Sequence, residues 1–207
     1  MNRLALFAFC LLPMLAHAEE QLRTVPAYDC IDVRGPFDLE VEAGKAHSLK
    51  ISGEARHLER IKTEVVDGCL NITFKAEHGN VEIKDLPHVR ITLPALRQLT
   101  EAGAGQTVLN NIDGKRLDIH YKGAGRLAAN GKVESLHLEA RGVGEVDAKS
   151  LIAQDADVDF AGVGSVQVYA GRRLDVSAGG MGELTYYGKP RVVNKSVAGF
   201  GSIKAGD

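Results

Sequence analysis

Six Gly-x-Gly tripeptides recur through the second half of this chain, and their spacing restricts the fold more than any other feature. They are Gly103-Ala104-Gly105, Gly123-Ala124-Gly125, Gly142-Val143-Gly144, Gly162-Val163-Gly164, Gly180-Met181-Gly182 and Gly199-Phe200-Gly201. The first glycines lie 20, 19, 20, 18 and 19 residues apart. Twelve of the 18 glycines after residue 100 belong to these tripeptides, so the ladder is not a by-product of glycine richness. A fixed period near 20 residues is the mark of a solenoid, in which each repeat is one coil stacked on the last.

Aligning the repeats on the glycines shows what each coil is made of. Counting back from the first glycine, positions −6, −4 and −2 read Leu117/Ile119/Tyr121, Leu136/Leu138/Ala140, Ala156/Val158/Phe160 and Leu174/Val176/Ala178. Positions −5 and −3 read Asp118/His120, His137/Glu139, Asp157/Asp159 and Asp175/Ser177. Apolar and polar residues thus alternate with period 2, in register on four successive coils. A half-buried strand makes that pattern and a helix does not. Another apolar or small position recurs just past the second glycine, at Thr107, Leu127, Val146, Val166, Leu184 and Ile203. Each coil is therefore expected to be strand, glycine turn, strand, second turn. The second turns fall at Asn110-Asn111, Asn130-Gly131, Ala170-Gly171 and Tyr187-Gly188-Lys189-Pro190. The asparagine-centred leucine consensus of leucine-rich repeats is missing, and the predicted class is an all-β parallel β-helix.

The front of the chain has a different character. Met1–Ala18 carries one early charge, Arg3, then an apolar run from Leu4 to Leu15 and the small-residue end Ala16-His17-Ala18. This reads as a secretory signal peptide cleaved before Glu19, and its apolar run is too short for a transmembrane helix. Cleavage removes Cys10 and leaves Cys30 and Cys69 in a chain bound for an oxidising compartment. A disulfide between them is expected, and closing that loop stabilises by about 3–4 kcal/mol on the chain-entropy model. Cleavage also removes one cation and no acid, leaving a net charge of −3. That balance argues against nucleic-acid or anionic-membrane partners, which favour basic surfaces. No anchor or further membrane segment is visible after the signal.

Residues 19–100 are strand-rich but less regular, with candidate strands at Asp29–Val33, Phe37–Val41, Ser48–Ile51, Leu70–Phe74, Val81–Ile83 and Val89–Leu93. Between them, Glu54–Val66 fits either a short helical turn or an irregular strand. No Pro/Ser/Gly-rich linker separates the halves. Residues 19–207 are read as one domain, with 19–100 as the cap that hides a solenoid's exposed end and 101–207 as the six repeats.

Two stacks of side chains are candidates for function. If positions −5 and −3 face outward, Asp118, His120, His137, Glu139, Asp157, Asp159 and Asp175 form a grid, about 4.8 Å apart between coils and about 7 Å apart along a strand. Stacked carboxylates with two histidines suit a hard cation, or acid/base work on a polysaccharide. The plainer reading is a solvated face neutralised by Lys122 and Arg141 at position −1. No cofactor is expected: the glycines join strand to strand rather than strand to helix, and neither a metal-ligand spacing nor a nucleophile elbow appears. The second stack is the middle residue of each tripeptide, Ala104, Ala124, Val143, Val163, Met181 and Phe200, which grows along the chain. The favoured expectation is an internal packing ladder. Exposed, the same row would be an apolar ribbon suited to self-association or partner binding.

The ladder and its preceding strands, with the run Asp29–Glu42 and the Leu70–Phe74 strand, resemble the head GIN-domain family of putative auto-transporter adhesins over about residues 25–205. The resemblance implies a β-helical exported protein, with tight glycine turns joining two sheets and no catalytic set. The usual serine between the glycines is replaced here by apolar residues. The resulting expectation is a non-enzymatic adhesion or binding scaffold in the periplasm or on the surface of a Gram-negative bacterium. Its partner would be a protein or glycan of the envelope or of a host surface, and a homo-oligomer is compatible with the chain. Two alternatives stand beside it: a polysaccharide lyase or hydrolase using the acids around Asp157 and Asp159, and a structural envelope component without a ligand.

Overall fold

The computed structural model describes residues 19–75 and 85–207. The expected signal peptide and the candidate strand Val81–Ile83 lie outside the described residues.

Alternating apolar residues become long parallel strands that wind into a β-solenoid of about five turns. The regular part consists of β8 (Gln98–Tyr121), β9 (Ala124–Ala140), β10 (Val143–Phe160), β11 (Val163–Ala178), β12 (Met181–Tyr187), β13 (Val192–Val197) and β14 (Phe200–Ala205). Each of β8 to β11 runs parallel to the next strand, and β11 pairs with both β12 and β13. Parallel pairing with a side-chain period of 2 carries every inward residue onto an inward residue one coil away. Leu117, Leu136, Ala156 and Leu174 are stacked in this way and buried, as are Ile119, Leu138, Val158 and Val176. At position −2 the buried row reads Tyr121, Ala140, Phe160, Ala178, so a large side chain always lies over a small one. Alternating large and small side chains is the arrangement that lets stacked layers fill a core without overpacking.

The glycines stack too. Gly105, Gly125, Gly144, Gly164, Gly182 and Gly201 pair in one continuous register, and the chain bends at Gly142, Gly162, Gly180 and Gly199 between successive strands. Gly144 has φ 141°, and a Cβ there would overlap the carbonyl oxygen of Gly125 on the coil below. Only a residue without Cβ satisfies both conditions.

The second corner departs from expectation. Asn110-Asn111, Asn130-Gly131 and Ala170-Gly171 do not interrupt the strands, because hydrogen bonding between coils continues through them. The corner is absorbed instead by register shifts, between Leu109 and Ile112 and between Asp147 and Ser150, with Asn111 at φ 56° and Gly131 at φ 133°. An extra residue on one coil bends the ladder without ending it. Tyr187-Gly188-Lys189-Pro190 does separate two strands, β12 from β13.

The N-terminal part closes one end of the solenoid with a mixed sheet. β2 (Cys30–Pro36) runs parallel to the start of β8 and to β6 (Cys69–Phe74), and β3 (Asp38–Ala43) lies parallel between β8 and β7 (His88–Leu93). Beyond these, β4 (Ser48–Gly53) pairs antiparallel with β7, β1 (Glu19–Leu22) with β4, and β5 (Ile61–Val66) with β6. The stretch Glu54–Val66 therefore contains both elements weighed for it, a single helical turn α1 (Ala55–Leu58) and β5. Cys30 and Cys69 are register partners on β2 and β6 and form the expected disulfide.

Candidate functional site

All seven candidate grid residues lie on one outward face. Asp118, His137, Asp157 and Asp175 form one row across β8 to β11, continued by Asn194 of β13. His120, Glu139 and Asp159 form the adjacent row. The alternation that buries Leu117, Ile119 and Tyr121 necessarily turns Asp118 and His120 outward.

The face is laced with ion pairs across and along the strands. His120 Nδ1 lies 2.8 Å from Glu139 Oε2, and His137 Nδ1 lies 3.1 Å from Asp157 Oδ2. Arg141 reaches Glu139 at 2.5 Å and Asp159 at 3.6 Å. Arg116 donates to both oxygens of Asp118, and Arg173 to both oxygens of Asp175, which also accepts from Asn194 at 2.6 Å. The Arg116 hydrogen bond holds the Asp118 carboxyl below its ordinary range. His120, then the charges of Arg141 and Lys122, does the same for Glu139, and Arg173 with Asn194 does so for Asp175. These carboxylates are held ionised. Among the described residues, no group of three or more histidine, cysteine, aspartate or glutamate side chains is placed to hold a metal ion.

Sequence reasoning found the acids and missed half of their partners. Arg141 acts as expected, whereas Lys122 contributes only through its field on Glu139. The principal cations are Arg116 and Arg173, both at position −7, two residues before an aspartate and so on the same face. Carrying the alternation one step further upstream exposes them.

A buried carboxylate was also missed. Glu101 takes the inward −2 position of the first coil, where later coils have Tyr121, Ala140, Phe160 and Ala178. It is 4% exposed, and its Oε2, the Thr107 Oγ1 and the Tyr121 hydroxyl are buried without hydrogen-bond partners among the described residues. Burial pushes the Glu101 carboxyl up to about 7. Burial, then the Glu101 charge, pushes Tyr121 up to about 12.

The middle-residue stack is not the internal ladder that was favoured. Val143 is 58% exposed, Val163 47%, Met181 56% and Phe200 88%, and Ala104 and Ala124 are exposed as well. The flanking glycines pack backbone on backbone against the coil below, which leaves no interior space for the side chain between them. It points outward. The result is a continuous apolar row along one corner, in register from Ala104 to Phe200.

A β-solenoid with a charge-paired flat face and an apolar corner is a scaffold that displays side chains in rows. Residues 27–190 match the family described as putative auto-transporter adhesin, head GIN domain, and the chain belongs to that family. Its fold is shared with a putative adhesin of Bacteroides fragilis at 23% identity and a TM-score of 0.74, covering 91% of this chain and 97% of the other. A putative adhesin of Parabacteroides distasonis is similar at 16% identity and a TM-score of 0.53, covering 92% and 98%. No functionally curated protein matches the chain at a significant level.

Proposed function

We propose that this chain is an exported, non-enzymatic binding scaffold of the bacterial envelope, which uses the grid face to hold a protein or glycan partner. The observation that carries this reading is the state of the grid. Its acids are paired with arginine or histidine side chains one coil or two residues away, and those whose titration is perturbed are held ionised. Such a face offers rows of fixed hydrogen-bond donors and acceptors at strand spacing, the geometry of recognition by an extended partner. Proton donation to a glycosidic oxygen instead needs a carboxyl raised toward neutrality. Membership of an adhesin family points the same way. Among the described residues no helix is long and apolar enough to cross a membrane. Export rests on the signal-like Met1–Ala18.

The test is capture of envelope fractions and glycan arrays by the purified protein, beside the variant Asp157→Asn/Asp159→Asn. Binding lost in the variant, with the fold intact, places recognition on the grid. Binding that survives unchanged removes the grid from the reading. Sugar release from pectin, alginate or peptidoglycan fragments by the wild type, lost in the variant, would replace the scaffold with an enzyme.

A further inference from the structure

The apolar corner invites a partner, and its grading in size says which one. Along the solenoid the exposed row reads Ala104, Ala124, Val143, Val163, Met181, Phe200. Neighbours are register partners, so the row is straight and spans about 24 Å at the strand spacing. We propose that this corner is the interface of a two-fold dimer of the chain. In it, two copies lay their rows antiparallel, and the axis crosses between Val143 and Val163.

The first argument is volume. Antiparallel rows place Ala104 opposite Phe200, Ala124 opposite Met181, and Val143 opposite Val163. Each layer then sums a large and a small side chain or two of middle size, so the rows close at one separation along their whole length. Parallel rows would set Phe200 on Phe200 and Ala104 on Ala104, touching at one end and gaping at the other. Close packing favours the first arrangement.

Charge is the second argument, and it is independent of the first. An antiparallel two-fold keeps each flank of the row on its own side. On the flank before the glycines the residues are Ala102, Lys122, Arg141, Ala161, Gly179 and Ala198. Lys122 then faces Gly179 and Arg141 faces Ala161, so each cation meets a small neutral residue. The space for its aliphatic stem is a shallow trough of about 510 Å³, lined by Arg141, Ala161, Val163, Ala198 and Phe200. On the flank after the glycines, Arg126 faces Glu183, Glu145 faces Ser165, and Gln106 faces Ser202. Arg126 holds Glu145 and Asp147 only at 3.8 and 3.5 Å, long contacts that it exchanges for the partner's acid on turning across the interface, and Glu183 also holds Lys204 at 2.7 Å. A parallel pair would bring Lys122 against Arg126 instead, a like-charge contact. The corner is thus self-complementary in the sense an isologous interface requires, whatever the grid face binds.

Sedimentation of the purified protein over a concentration series should show a monomer–dimer equilibrium. Met181→Lys with Phe200→Ser should abolish the dimer while leaving the circular dichroism unchanged and making the thermal melt independent of protein concentration. Arg126→Glu should weaken dimerisation about three- to tenfold, and adding Glu183→Arg should restore it. Orientation is read by cross-linking. A mixture of Ala124→Cys and Met181→Cys proteins should form a covalent heterodimer under mild oxidation, and neither protein alone should cross-link. A protein that stays monomeric at every concentration overturns the proposal, as does ready cross-linking of Ala124→Cys with itself.

Discussion

Gly144 combines two demands that only a glycine meets together: φ 141°, and no room for a Cβ, which would overlap the carbonyl oxygen of Gly125. Gly114 meets neither, with nothing within 4 Å of an added Cβ. Gly144→Ala is therefore expected to destabilise by more than about 3 kcal/mol, since backbone rather than a flexible side chain must yield. Gly114→Ala should be neutral or stabilising by up to about 1 kcal/mol, through loss of unfolded-state entropy. Urea denaturation of the pair checks both, and equal effects would refute the close-approach argument. Glu101 is the other residue with a distinct energetic signature. Its carboxyl is raised from 4.5 to about 7 in the fold, so the folded state keeps a proton that the unfolded chain gives up as pH rises between those values. Stability should fall across that window and level off above it, by about 3 kcal/mol in all. The lowered acids Asp118, Glu139 and Asp175 act in the opposite sense, and their contribution is lost as pH falls below the ordinary carboxylate range. Glu101→Gln should remove the decline between pH 5 and 8, and an unchanged slope in that variant would sink the assignment.

At the scale of elements, legibility in the sequence followed hydrogen bonding. Strands such as β9 and β10 declared themselves because one face is buried and period 2 leaves no freedom about which face that is. The grid followed at once, since Asp118 and His137 must point away from Leu117 and Leu136. The glycine corner was harder: positive φ at Gly144 and Gly164 breaks the alternation, so parity along the strand cannot tell which way Val143 or Val163 points. The Asn130-Gly131 corner was misread for a related reason. Turn residues signal a change of direction, but here the change is made inside an unbroken ladder. The antiparallel additions β4 and β5 have alternation indistinguishable from that of parallel strands, and β1 has none, reading Glu19-Glu20-Gln21-Leu22 with no buried residue. The Cys30–Cys69 link, by contrast, was legible from compartment and count alone. It ties β2 to β6, the strand that also carries β5, so it fastens the mixed sheet to the solenoid's end. Cys69→Ser should lower stability by about 3–4 kcal/mol. It should also raise hydrogen exchange in β5 and β6 before β10; uniform acceleration would instead mean that the end and the coils unfold as one.

For the molecule as a whole, stacking makes stability nearly one-dimensional, since each coil is held by the coils on either side of it. β9 and β10 are hydrogen-bonded on both edges and bury Leu136, Leu138, Val158 and Phe160. At the far end, among the described residues, β13 pairs only with β11 and β14 only with β12. Every residue of β13 is exposed although Val193 and Val197 are register partners of buried Leu174 and Ala178. One feature covers that end. Lys195 stands in the register of buried Val176, with its Nζ 4.4 Å over the Tyr186 ring and donating to the Tyr186 hydroxyl at 3.2 Å. A cation at an inward position discourages another strand from adding to the edge, at the cost of the apolar burial a further coil would have provided. The terminal coil should therefore open by itself, without global unfolding. Native-state hydrogen exchange should show protection falling from β9 and β10 through β11 to β13 and β14, with the last two exchanging at least about a hundredfold faster. Phe200 projects from that same labile coil, so dimerisation at the corner would raise protection in β14 more than in β13, and raise it with protein concentration. A gradient that ignores concentration separates fraying from self-association. Equal protection from β9 to β14 would show that the coils form one cooperative unit, and the one-dimensional account would fail.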